Sequence, residues 1–163
     1  MDVGCAFGFF LKRVSPYFQE VCGVDISRFA LEKARKSLPQ AEFFQLDVER
    51  EELPFPDFYF DLLTAFDVLE HTYNLEDTLR KLLLKVKKGG FLMISLPLGG
   101  GWIGRLFTLL DRDLSHVSLP SEREFMECLE QLGVSIVDRF HFLNLPFAKI
   151  EGIPQEIEVL VRK

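Results

Sequence analysis

Several protein classes are set aside by what this sequence lacks. Cysteine occurs three times, at Cys5, Cys22 and Cys128, in no CxxC and no Cys/His ligand spacing. That excludes a disulfide framework and a zinc site and fits a reducing, cytoplasmic setting. Histidine is also scarce, at His71, His116 and His141 only. No apolar run reaches the length of a membrane span, and no basic stretch precedes an apolar one near the start, so neither a span nor a secretory leader is read. Basic surplus is absent: 19 Lys and Arg face 25 Asp and Glu, a net charge of -6. A surface built mainly to bind the phosphate backbone of nucleic acid is thereby disfavoured. There is no internal repeat and no low-complexity tract.

What is present is a chain of 163 residues, 48% hydrophobic, the size of one ordinary domain over residues 1–163. Short apolar runs alternate with helical patterns, which predicts an α/β fold with a mostly parallel, twisted sheet covered by helices on both faces. Strands are expected at 20–24, 42–46, 59–66 and 91–96, the last too apolar to have a wet face. Ser27 is expected to cap a helix over 28–36, and a helix over 75–86 ends at Lys88-Gly89-Gly90. Ser121 and Glu124 form a capping box for a helix that stops at Gly133. Two strands, 134–142 and 156–161, close the chain, the last expected to be antiparallel. Residues 99–120 start with three glycines and continue into a dense apolar stretch, read as a segment covering the acceptor side.

The richest local signal lies at the start. Asp2-Val3-Gly4-Cys5-Ala6-Phe7-Gly8 is a glycine-bearing turn that lets backbone N–H groups approach a ligand, and Val21 to Val24 is an apolar run ending in Asp25. An acid at the end of the second strand stands where a ribose diol can be held. Gly4 and Gly8 alone are compatible with a tight turn that binds nothing. Joined to Asp25 and to Asp47 at successive strand ends, they favour a ligand.

The order of these signals resembles the class I S-adenosylmethionine-dependent methyltransferases, in particular their broad small-molecule group. The matching stretches are Asp2 to Gly8, Gly23 to Ser27, Asp47 in Gln45-Leu46-Asp47-Val48, Phe60-Asp61 with Val68-Leu69-Glu70-His71, and Leu84 to Gly90. The resemblance implies a Rossmann-like fold, S-adenosylmethionine as cofactor and a small-molecule acceptor. It assigns Asp2, Gly4, Cys5, Ala6 and Gly8 to the loop beside the methionine end and Asp25 to the ribose hydroxyls. Asp47 and Val48 would flank the adenine, and Ile26 and Phe66 supply apolar walls. Where the family more often has glycine, this chain has Ala6; a left-handed backbone there would cost about 1 kcal/mol.

His71 and His116 are the candidate bases for an oxygen acceptor, although a Glu-His pair after a strand more often fixes a loop. His141, inside an apolar strand, reads as a packed residue. Two other function classes remain open. A nicotinamide dehydrogenase also needs glycines and a ribose acid, but its G-x-G-x-x-G fingerprint meets Ala6 and Phe9 at the second and third glycines. A binding or scaffold protein with the same fold is the other. The first strand is mostly missing, reduced to at most Met1 to Val3. Each buried backbone group left unpaired costs roughly 1 to 3 kcal/mol, so upstream residues, a partner chain or a rearrangement are expected to fill the gap, and exposed apolar surface at that edge offers a route to a homo-oligomer.

Overall fold

The computed structural model describes residues 1–99, 117, 119–145 and 148–163. Five strands form a parallel array: β1 (Asp2–Val3), β2 (Cys22–Asp25), β3 (Glu42–Gln45), β4 (Phe60–Phe66) and β5 (Val86–Pro97). Three more, β6 (Ser135–Leu145), β7 (Ala148–Glu151) and β8 (Glu156–Arg162), extend it. The order across the sheet is β3-β2-β1-β4-β5-β8-β6-β7. The first five run parallel, and β8, β6 and β7 add antiparallel pairs.

Among the described residues, four α-helices accompany the strands: α1 (Phe9–Val14), α2 (Arg28–Ser37), α3 (Leu75–Lys85) and α4 (Glu122–Gln131). Alternation along the strands assigns them to opposite faces. Leu11 of α1 and Leu31 and Ala34 of α2 pack with Cys5 and Phe43 in one small core. Val3, Val24, Leu63, Ala65, Leu92 and Ile94 pack in the larger core with Leu79 and Leu82 of α3 and Phe125 and Leu129 of α4. Both cap expectations hold. Ala30 N–H donates to Ser27 Oγ at 3.2 Å, and the Ser121/Glu124 capping box is complete.

Three expectations need correction. The helix expected to reach Val86 ends at Lys85, and the turn at 88–90 lies inside β5. Val86 is a fully buried β-branched residue paired with Phe60. The irregularity there is absorbed by a register shift between Phe60 and Leu62, beside the left-handed Gly89. The connector expected between the last two strands contains β7, which pairs Phe142↔Glu151 through Leu145↔Ala148. The antiparallel part is therefore three strands rather than one.

The short first strand is seated on both sides. Asp2 pairs with Gly23 and Thr64, and Val3 with Val24 and Ala65. Upstream of it, at the N-terminal ends of the strands, lies a cavity of about 780 Å³ lined in part by Met1, Leu11, Cys22, Phe60 and Leu62. The cover segment expected over 99–120 falls mostly outside the described residues. Among the described residues, no helix is long and apolar enough to cross a membrane.

Candidate functional site

At the C-terminal ends of β1 and β2 the chain folds into a loop held by backbone bonds. Gly4 N–H and Cys5 N–H both donate to Val24 O, at 2.8 and 3.1 Å, and Gly8 N–H donates to Cys5 O at 2.8 Å. Gly4, Ala6 and Gly8 all take positive φ, at 70°, 44° and 72°. A Cβ on Gly4 would overlap a methyl of Val68, so only glycine fits. Ala6 adopts the left-handed conformation whose cost the sequence raised. Gly8 starts α1 with no side-chain cap.

Asp25 is where the loop meets β2. Its Oδ2 accepts from Ala6 N–H at 2.8 Å and its Oδ1 from Ser27 N–H at 2.7 Å. Two backbone donors therefore fix the plane of the carboxylate, and each oxygen retains a further acceptor site. Asp25 O also accepts from Leu46 N–H at 3.2 Å, which brings the end of β3 to the same place. Ile26, expected as an apolar wall, is 68% exposed, and its carbonyl accepts from Gln45 Nε2 at 3.2 Å.

Asp47 and Val48 follow β3. Asp47 Oδ1 accepts from Glu49 N–H at 3.0 Å, and its Oδ2 lies 3.5 Å from Arg50 Nε. Its carboxylate thus shapes a turn and stays partly open, while Val48 packs against the larger core. Phe66, at the end of β4, is half-buried and meets Phe10 of α1 edge to face, with ring centroids 5.0 Å apart.

Asp2 is buried, and Thr64 Oγ1 donates to its Oδ1 at 2.6 Å. Burial pushes its carboxyl up to about 6, against the opposing effect of the Thr64 hydroxyl. Cys5 is buried too, and desolvation drives its thiol up to about 12; it stays protonated near neutral pH and is a packing residue rather than a nucleophile.

The structure brings Gly4, Ala6, Gly8 and Asp25 into one bonded unit, with Asp2 beneath it and Asp47 at the next strand end. His71 is the exposed last residue of a 3₁₀ turn over Leu69–His71, next to the buried Glu70. His116 lies outside the described residues. His141 is on β6, its Nε2 3.0 Å from Glu122 Oε1 at the start of α4. Among the described residues, no group of His, Cys, Asp and Glu is arranged to hold a metal ion.

Two features at this end of the sheet escape sequence reading. Thr64 as the partner of Asp2 depends on the β1–β4 register. Asp67, left-handed at φ 53°, donates its N–H to Ser95 O. Ser95 Oγ lies 3.1 Å from Asp67 Oδ1 and 2.7 Å from Oε1 of the buried Glu156. No local pattern in the sequence announces that chain of three residues from separate strand ends.

Comparison with known proteins gives the same architecture. The crystal structure of the YcgJ protein from Bacillus subtilis superposes with a TM-score of 0.79 at 19% identity, over 99% of this chain and 90% of that one. In sequence, the uncharacterized methyltransferase YcgJ of Bacillus subtilis is 30% identical over 159 residues, covering 90% of this chain and 60% of that protein. The ubiquinone biosynthesis O-methyltransferase of Azoarcus sp. is 31% identical over 173 residues, covering 98% of this chain and 73% of that protein. The chain spans 35% of the length of two curated relatives from Mycobacterium tuberculosis. A family described as methyltransferase domain matches residues 1–94, the stretch that holds the loop, Asp25, Asp47 and β4. By that match the chain belongs to the methyltransferase domain family.

Proposed function

We propose that this chain is an S-adenosylmethionine-dependent methyltransferase that transfers a methyl group to a small-molecule acceptor. The observation that carries the reading is the Asp25 carboxylate, pinned by Ala6 N–H and Ser27 N–H with an acceptor site left on each oxygen. A ribose presents two adjacent O–H donors, and a carboxylate fixed in this way matches them. Other residues fit the remaining parts of such a cofactor. Asp2 and the Gly4–Gly8 loop would take the methionine end, and Asp47 with Val48, Ile26 and Phe66 the adenine side. When bound, that cofactor supplies an activated methyl group, so the protein's task is alignment and exclusion of water rather than covalent catalysis.

The likeness to an O-methyltransferase supports a hydroxyl-bearing acceptor. A base is then needed to take the hydroxyl proton as the new bond to oxygen forms. His71 and His116 are the residues assigned to that role, and among the described residues His71 is exposed and able to reach solvent-borne substrate. A reducing, cytoplasmic setting for the reaction is part of this proposal, and the free thiols of Cys5, Cys22 and Cys128 support the reducing half of it.

Calorimetric titration with S-adenosylhomocysteine tests this reading, with NAD as the control. Saturable binding is expected for the native chain and no response to NAD. Asp25→Ala loses two fixed acceptors and is expected to weaken binding by at least about 100-fold, since charge-assisted hydrogen bonds contribute roughly 1.5 to 3 kcal/mol each. Undiminished binding by a folded Asp25→Ala variant would remove the assignment of Asp25.

A further inference from the structure

Outside the candidate site, the outer surface of α1 and α2 differs from the rest of the molecule. Phe9 and Phe29 are 72% and 64% exposed, and Phe7 is 40% exposed between them. The three rings form one strip, Phe7 to Phe9 at 6.0 Å and Phe7 to Phe29 at 6.3 Å, the latter edge to face. Exposed aromatics standing singly are ordinary, but a contiguous strip on a face that buries nothing marks a contact surface.

Charge narrows the partner. α1 and α2 carry six basic residues, Lys12, Arg13, Arg28, Lys33, Arg35 and Lys36, and one acid, Glu32. The chain as a whole has 25 acids against 19 bases, so the local balance is reversed. The single acid is engaged by Arg28 at 3.1 Å. Lys33 Nζ sits 5.4 Å from the Phe29 ring centroid, and Lys12 Nζ reaches Ser37 Oγ at 3.3 Å, which joins α1 to the end of α2. On α2, Phe29, Lys33 and Lys36 are four and three residues apart, on the stripe opposite the buried Ala30, Leu31 and Ala34.

Exposed rings flanked by lysines with long apolar stems are the composition that enters the headgroup region of a bilayer, rings downward and ammonium groups at the phosphates. We infer that the α1–α2 face docks on an anionic lipid surface through Phe7, Phe9 and Phe29, with Lys12, Lys33 and Lys36 facing the headgroups. The inference does not depend on which cofactor or acceptor the chain uses.

Vesicle flotation of the full chain tests it, using phosphatidylcholine vesicles with and without phosphatidylserine. Binding is expected to the anionic vesicles and to fall as salt rises. Because a basic residue near such a surface contributes about 1 kcal/mol, the Lys12→Glu/Lys33→Glu variant is expected to partition at least tenfold more weakly. Phe9→Ala/Phe29→Ala is expected to lose at least as much, with an unchanged circular dichroism melt showing that the fold persists. Equal binding to neutral and anionic vesicles, binding untouched by both variants, or no vesicle binding would each overturn the inference. So would a dimer seen by light scattering that Phe9→Ala/Phe29→Ala dissociates, or capture by a single-stranded oligonucleotide in place of vesicles.

Discussion

Gly4 and Gly133 share a backbone conformation and almost nothing else. Both have φ of +70°. Gly4 sits in the loop between β1 and α1, where an added Cβ would overlap Val68, whereas a Cβ on Gly133, between α4 and β6, would meet nothing within 4 Å. One position is constrained by conformation and packing together, the other by conformation alone. The difference separates two regions of the molecule. The loop at the ends of β1 and β2 is wedged under the turn that follows β4, while at the connection into β6 Leu132 and Val134 pack inward, Gly133 faces open space, and the exposed Ile136, Val137 and Phe140 lie beyond it.

The sharpest test of that difference is the pair Gly4→Ala and Gly133→Ala. A left-handed alanine costs about 1 kcal/mol at either site. Overpacking against Val68 adds roughly 1 to 3 kcal/mol at Gly4 alone, so urea denaturation should place Gly4→Ala at least about 1 kcal/mol below Gly133→Ala. Adding Val68→Ala should recover part of the loss in Gly4→Ala and none in Gly133→Ala. Equal losses in the two single variants would mean that the loop yields without resistance, and the contrast between the regions would fail.

Asp2 gives an effect of similar size, because it is the buried acid directly under the loop. Burial raises its folded carboxyl to about 6, above the ordinary carboxylate value of 3.8. The folded state thus holds the proton more tightly than the unfolded chain. Below about pH 4 both states are protonated and nothing is lost; as pH rises through 6 the folded state must ionise a buried group, and stability falls by about 3 kcal/mol in total. Asp2→Asn keeps an acceptor for Thr64 and removes the charge. Its stability relative to the native chain is expected to rise from pH 4 to pH 7 in urea titrations, and a flat difference across that range would show that Asp2 ionises without penalty.

The same contrast governs what could be read from the sequence. Gly4, Gly8 and Ser27 stood out as local patterns, a glycine-bearing turn and a helix cap, whereas the bond from Ala6 N–H to Asp25, 19 residues on, and the packing of Gly4 against Val68 came only with the fold. The Ser121/Glu124 box was legible as a local pattern too. Thr64 beneath Asp2, and Ser95 between Asp67 and Glu156, were not, since each depends on registers joining strands about 60 residues apart. The start of β5 was misread because Gly89 and Gly90 are common helix stops, yet the fully buried Val86 pairs with Phe60 before them. β7 was missed because four residues between Pro146 and Gly152 carry little periodicity.

Ala6 is the smallest effect and the one that tests the loop without disturbing it. Its φ of 44° is left-handed, and its residue is exposed, so the methyl group packs against little that glycine would forfeit. Ala6→Gly removes the strain of about 1 kcal/mol, partly offset by the greater freedom of glycine in the unfolded chain. The N–H that holds Asp25 Oδ2 is retained. A rise of up to about 3 °C in melting temperature is expected, with affinity for S-adenosylhomocysteine unchanged. A lower melting temperature would mean that glycine's freedom outweighs the relief. Weaker binding at undiminished stability would mean that the alanine methyl holds the Ala6 N–H toward Asp25, and that the departure from glycine contributes to the site.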